Sequence, residues 1–399
     1  MPGVRTFTGW LAALAFAAGF VGCGEEGATK PSFDATELVA NVADNIVIPA
    51  VIELDDKTKA LYKATNAWCK AAGTATEDAE RAKARVAWRA VMAVWQRVEL
   101  MKFGPLAVSD GAAARDDIYS WPTVSACAVD QGVAKLRLEP DFPIKDALAN
   151  WRGLDAMEYL LWAPNLDSQC PEMAKPPNWE TLPKPDRAKA RCNYAALVAL
   201  DLGGRTAVLK DSWAVSSGNY LGKFKRFGSG GVFDSPQAAE NAISDGFFYL
   251  DKYTKDRKLG APAGKFENAC GTRDVGCAKA AESPWAHAGK AHLQANLDAF
   301  SALFNGKEAA TGKGTGVGFV THLESAGHNK LADAINADIT AAKAAVDAIP
   351  VSVFDAATNG RDKLVTAHTA IKKIVDILKA DFLLAISLDL PSEAAGDAD

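Results

Sequence analysis

The chain has 399 residues, with 44 Lys and Arg against 49 Asp and Glu, a formal net charge of −5. Hydrophobic residues make up 49% and charged residues 23%, globular proportions that exclude disorder as the dominant state outside the two ends. A mildly acidic chain lacks the basic footprint that nucleic acid requires, so no nucleic-acid partner is expected.

The N-terminus reads as a secretory signal. Arg5 precedes an apolar run from Trp10 to Val21, then Gly22-Cys23 and a polar, acidic stretch. About a dozen apolar residues are too few to cross a bilayer core, which needs roughly 20, and the small residue before Cys23 suits a signal peptidase. Phe20-Val-Gly-Cys23 resembles a lipobox, whose cysteine thiol receives diacylglycerol before cleavage. The expectation is a signal peptide over residues 1–22, lipidation of Cys23 and a linker over 23–33. The chain would then be exported and anchored in a membrane through lipid on Cys23, facing the periplasm, since multiple acyl chains give stable attachment. Gly24, rather than Asp, after the cysteine favours the outer membrane over the inner.

The remaining chain is long enough for two domains at roughly 150 residues each. Its periodicity is helical. Asp34 with Glu37 has the form of a capping box, opening a helix through Leu38, Val42 and Ile46 to about Ala71, with Pro49 as a kink. Thr76 caps a second helix whose Trp88, Val91, Met92, Trp95 and Val98 form a core-facing stripe ending before Gly104-Pro105. A third helix is predicted over 144–162 and, after a Pro-rich loop, a fourth from about Pro185 to Ala214. Ser235-Pro236 and Ser283-Pro284 each combine an N-cap serine with proline at the first helical position. The first predicts a helix to about Lys258 that stops at Gly260, the second a helix carrying Leu293, Leu297, Phe300 and Phe304. Two more helices carry Leu331, Ile335 and Ile339, then Leu364, Ile371, Ile374, Leu378 and Phe382. The predicted fold is all-α, with four-helix-bundle-like domains over 34–215 and 235–390, a Gly-rich loop over 216–234 and an acidic tail over 391–399.

Besides Cys23 there are six cysteines, which export would place in an oxidising compartment. Six allow 15 pairings, but Cys270 and Cys277 share one loop and Cys170 and Cys192 flank another. Those two local bridges are expected, leaving Cys69 with Cys127. No C-x-x-C pair supports a metal cluster instead.

Several catalytic patterns are absent. There is no H-E-x-x-H, and His287 and His292 are five apart, on different helix faces. Gly306 to Lys313 has the wrong spacing and no Ser/Thr for a phosphate loop, and Gly228-Ser229-Gly230 lacks a nucleophile-elbow setting. The segment that remains is Trp151-Arg-Gly-Leu-Asp-Ala-Met-Glu-Tyr-Leu-Leu-Trp162. Asp155 and Glu158 are three apart on a helix apolar on almost every other side. Charges so embedded are costly unless paired or bound to a cation. Arg152, three residues before Asp155, offers a plain ion pair; bound metal would instead be a hard divalent or ferric ion.

Gly153-Leu-Asp155-Ala-Met-Glu158-Tyr-Leu-Leu resembles the G-x-H-x-x-E segment of imelysin-like proteins, the insulin-cleaving membrane protease family. Segments 43–50, Trp88 through Trp95 to Glu99, Phe103-Gly-Pro105, Ser120-Trp-Pro122, Lys258-Leu-Gly-Ala-Pro262 and Asn296 to Gly306 follow the family's order. The resemblance implies two helical bundles in an exported, often lipid-anchored protein linked to iron regulation and uptake. It maps the family's metal-binding or active-site histidine onto Asp155 and its glutamate onto Glu158. Glu99 matches the pattern, while Gln96 stands where W-E is common and Tyr119 where I-D-S-W-P has Asp. The resulting expectation is a lipoprotein that binds a metal ion, or a small ligand in a cleft, and meets iron-uptake proteins. Asp155, Glu158 and Glu99 would be its oxygen ligands, with Arg152 holding the carboxylates. The alternatives are a metallopeptidase with Glu158 as catalytic base, or a scaffold lipoprotein whose Asp155 is merely paired to Arg152. Mass spectrometry of the native N-terminal peptide should find acylated Cys23 as the first residue; an unmodified Cys23, or a different start, would refute the anchor.

Overall fold

The computed structural model describes residues 33–394 except Asp110, Glu267, Ala269, Thr272, Ala309 and Glu393. The predicted signal peptide, Cys23, nearly all of the linker and most of the acidic tail lie outside the described residues. Among those residues the fold is all-α, with a single isolated bridge between Phe227 and Phe233.

Asp34 caps α1 (Ala35–Asn41), its carboxylate accepting from the Thr36 N–H at 2.8 Å. The chain then widens into a π-helical turn over Val42–Val47 before α2 (Ile48–Ala71). Pro49, where a kink was expected, stands at the start of α2 just past this wider turn, which accommodates a residue with no N–H to donate. Ala35–Ala71 is long and apolar enough to cross a membrane, yet Leu38, Val39, Leu54 and Leu61 are buried in the core. α2 lies against α3 (Glu77–Val98) and, farther along the chain, α7 (Lys184–Trp213). On α3 the whole predicted stripe of Trp88, Val91, Met92, Trp95 and Val98 is buried.

Between α3 and α7 the chain is more broken than its periodicity suggests. α4 (Ala112–Ile118) and α5 (Ala126–Leu138) form where no helix was predicted, the second capped by Ser125. The helix expected over 144–162 is two short 3₁₀ turns followed by α6 (Gly153–Trp162). Extended Arg152 and left-handed Gly153, at φ +90°, interrupt the α-helical repeat there.

After α8 (Tyr220–Phe224), Ser235 caps α9 (Pro236–Asp245) through the Ala238 N–H, as predicted. A 3₁₀ turn leads into a π-helix over Leu250–Gly260. Ser283-Pro284 is the exception. Ser283 has φ +52°, residues 281–288 form an irregular strap, and α10 begins only at Gly289 (Gly289–Asn305). A serine cap would bind the amides two and three residues on, those of Trp285 and Ala286, and both are donated instead to Glu158. α11 (Phe319–Ser325), α12 (Asn329–Asp347), α13 (Val353–Asn359) and α14 (Arg361–Ile377) complete the chain's main helices. α12 and the π-helix pack on α14, while α10 packs on both α12 and α3, so one core runs through the unit from Phe33 onward.

Two predicted disulfides are corrected. Cys270 pairs with Cys277 as expected, but Cys69 pairs with Cys192 and Cys127 with Cys170. α2 and α7 run side by side and bring the Cα atoms of Cys69 and Cys192 within 5.3 Å across 123 residues of sequence. Helix packing, rather than closeness along the chain, selects Cys192 for Cys69. Peptide mapping without reduction should recover Cys69 joined to Cys192, and replacing both by serine should cost roughly 4–5 kcal/mol through the released loop entropy. Recovery of a Cys170–Cys192 peptide would contradict this packing.

Candidate functional site

The start of α6 is built to be approached closely. A Cβ on Gly153 would meet Ser120 Oγ at 3.0 Å and the Tyr119 carbonyl at 3.1 Å, besides being strained at a positive φ. The Asp155 N–H donates to the Tyr119 carbonyl at 3.3 Å, and the Trp88 indole donates to the Leu154 carbonyl at 2.8 Å. α6 is thereby fixed against α3 and the Ser120-Trp-Pro122 segment. Its inner side presents Asp155 and Glu158, which are 3% and 1% exposed.

Asp155, Glu158 and Glu99, singled out from the sequence, come together in one buried cluster, joined by Glu282 of the strap. Against these four carboxylates stands the ammonium of Lys258 on the π-helix, itself 1% exposed. Lys258 Nζ donates to Glu99 Oε1 at 2.6 Å, to Asn296 Oδ1 at 3.0 Å and to Gln96 Oε1, and lies 3.2 Å from Glu282 Oε1. Glu282 Oε1 also accepts from the Tyr119 hydroxyl at 2.6 Å and the Gln96 amide at 3.1 Å. His292 Nδ1 lies 3.2 Å from Glu282 Oε2. Glu158 Oε1 accepts the strap amides of Trp285 and Ala286 at 2.9 and 2.7 Å.

Charge is unevenly satisfied across the cluster. Burial works against ionising Glu282, but Lys258 and His292 beside it hold its carboxyl down to about 2. Burial pushes Glu158 up to about 7 despite its two backbone donors. Asp155 is pushed well above the usual carboxylate range, by burial first and then by Glu158, Glu282 and Glu99. Asp155 Oδ2 and Glu99 Oε2 are buried oxygens without a hydrogen-bond donor, and Glu282 Oε2 has only the His292 imidazole near it. Tyr119 is also driven well up, by burial and the surrounding carboxylates, and so remains a donor.

The expected Arg152–Asp155 ion pair does not form, and Arg152 does not hold the carboxylates. Its guanidinium turns away to Asp117 Oδ1 at 2.7 Å and to the carbonyls of Asp117 and Ala147, with Asp201 at 3.9 Å. Extended backbone at Arg152, rather than a helical turn, sends its side chain away from Asp155. Sequence reasoning missed Lys258, Glu282, His292, Gln96, Tyr119 and Asn296 as members of the site. Lys258 stood in a recognised segment without a role, Glu282 adjoined a misread cap, and His292 looked like an ordinary helical residue. Gln96 and Tyr119 had been noted only as departures from a pattern, and both bind Glu282.

The Imelysin family model matches residues 48–380. The chain belongs to the imelysin family. No curated protein sequence matches it. The fold is similar to that of a Parabacteroides distasonis ATCC 8503 protein described as an iron-regulated protein A precursor, at TM-score 0.67 and 19% identity over 90% of this chain and 96% of that one. An imelysin-like protein of Psychrobacter arcticum 273-4 aligns at TM-score 0.64 and 17% identity, over 90% of this chain and 98% of that one.

The imelysin chain's acidic pair has a direct consequence for stability. A carboxyl whose folded value is raised keeps its proton to higher pH in the folded state, so its stabilising contribution is complete below the unfolded value and is lost as pH rises. For Glu158 that window runs from 4.5 to about 7 and is worth on the order of 3 kcal/mol. Denaturant unfolding should show the wild type losing this stability between pH 4.5 and 8, while Glu158→Gln, which keeps an acceptor for the strap amides, loses about 3 kcal/mol less. Equal pH slopes for the two proteins would rule out a buried proton on Glu158.

Proposed function

We propose that this imelysin-family protein is an exported, lipid-anchored binding protein that takes a hard cation, in keeping with iron uptake, into its buried carboxylate cluster. The observation that carries the reading is the surplus of buried acid: four buried carboxylates share one ammonium, which contacts only Glu99 and Glu282, while Asp155 Oδ2 is deeply buried and given no donor. Such a group is costly to keep unless its charge is met. A donor set of carboxylate and amide oxygens with one imidazole fits a hard divalent or ferric ion better than a soft one. Asp155 and Glu99 would hold the ion through their donor-free oxygens, with Glu282 turning Oε2 from His292 to join them, and Glu158 would anchor the strap beside it. Among the described residues no three His, Cys, Asp or Glu side chains stand at metal-ligand spacing, so uptake requires these carboxylates to draw together. The iron-regulated description of one structural relative agrees with a metal-linked role for the family.

A second reading, peptidase chemistry, is favoured by one observation. A carboxyl poised at about 7 suits a general base at neutral pH. Against it, Glu158 is 1% exposed and its Oε1 is engaged by two backbone amides. The larger surface clefts, such as the roughly 590 Å³ groove between α2, α3 and α10, are lined by other residues.

Calorimetry of the mature protein with manganese, calcium, anaerobic ferrous and citrate-delivered ferric ions should reveal a site tighter than millimolar, with protons released on binding, that weakens at least tenfold in Asp155→Asn. Absence of binding, or equal affinity in the variant, would overturn the cation reading. Chelator-sensitive cleavage of unfolded substrates that disappears in Glu158→Gln would establish the peptidase in its place.

A further inference from the structure

Lys258 occupies the cluster as a cation would. Its Nζ is surrounded by oxygens of Glu99, Glu282, Gln96 and Asn296, drawn from α3, the strap and α10. At 1% exposure none of these contacts is shared with bulk water. The ammonium also lies over two aromatic rings, 5.3 Å from the centre of Tyr249 and 5.9 Å from that of Trp121. These faces offer an aromatic surface beside the oxygen cage, on which an ammonium retains part of its stabilisation after leaving the carboxylates. Of the two carboxylates that bind Nζ, Glu99 keeps its second oxygen, Oε2, without a donor, and Glu282 has only the His292 imidazole near its own.

We propose that Lys258 is a tethered competitor for the cation site: an incoming ion enters by displacing its ammonium from Glu99 and Glu282 toward Tyr249 and Trp121. This rests on the cation reading above and adds what sets its affinity and selectivity. Because one full positive charge must be moved aside, ions of charge two or more are favoured over monovalent ones. The tether also keeps the carboxylates from remaining an uncompensated buried charge when no ion is bound, a state that costs several kcal/mol per ion.

The test compares manganese binding by calorimetry, with manganese-induced thermal shift as a second readout, in the wild type, Lys258→Met and Lys258→Arg. Lys258→Met removes the competitor and should bind manganese at least tenfold tighter, with a larger thermal shift. Lys258→Arg keeps the charge but grips two carboxylates at once, so it should fold and bind at least tenfold more weakly. Binding in the wild type that Lys258→Met fails to tighten overturns the competitor role and leaves the cation reading intact. If Lys258→Met does not fold, unchanged affinity in Lys258→Arg overturns it equally. Binding by Lys258→Met alone overturns both readings, because the native ammonium is then not displaced by the ion. Absence of binding in every folded protein ends both readings.

Discussion

The burial of one ammonium organises this molecule. An uncompensated charge in a protein interior costs several kcal/mol, and Lys258 is 1% exposed. Its compensation comes from Gln96 and Glu99 at the C-terminal end of α3, Asn296 in α10 and Glu282 in the strap. Segments nearly 200 residues apart are therefore held in one arrangement, reinforced where the Asn296 amide donates to the Gln96 carbonyl at 2.6 Å. The apolar packing of α10 against α3 supplies the bulk of the contact, and the polar cluster selects its register.

Carboxylates beyond those Lys258 can neutralise give the cluster its chemistry. Glu282 is fully served, with an ammonium, a phenol and an amide on one oxygen and an imidazole near the other. Asp155 is not, and burial among other acids favours its protonated form. Glu158 stands between these cases, exchanging solvent for the two amides of the strap. That exchange explains why residues 283–288 do not continue α10 towards its N-terminus: amides committed to Glu158 are not free for a serine cap. Asp155, Gln96 and Tyr119 all lie in or directly against this cluster, with Gln96 and Tyr119 both serving Glu282.

Much of this architecture was legible in the sequence. The stripe from Trp88 to Val98, the Ser235-Pro236 start and the apolar rows at Leu293, Ile335 and Leu364 all report helices, because a half-buried helix must repeat its apolar residues at its own period. Asp155 and Glu158 were legible as candidates because acids are conspicuous in apolar helices, and Glu99 only through the family resemblance. The short helices α4 and α5, the break before α6 and the π-helix at Leu250–Gly260 were not, since tertiary packing overrides weak local preference there.

By itself the sequence determined an all-α chain of the imelysin family and an acidic pair that must be compensated, since helical period and the cost of buried charge act locally. Only the tertiary structure decided which groups compensate that pair. Arg152, three residues away, faces Asp117, while Lys258, about a hundred residues away, enters the cluster. It likewise chose Cys192 for Cys69, and Cys127 rather than the nearer Cys192 for Cys170. In both cases the reason is the same: ion pairs and disulfides require atoms within a few ångströms, and in a helical fold that distance is set by which helices lie side by side.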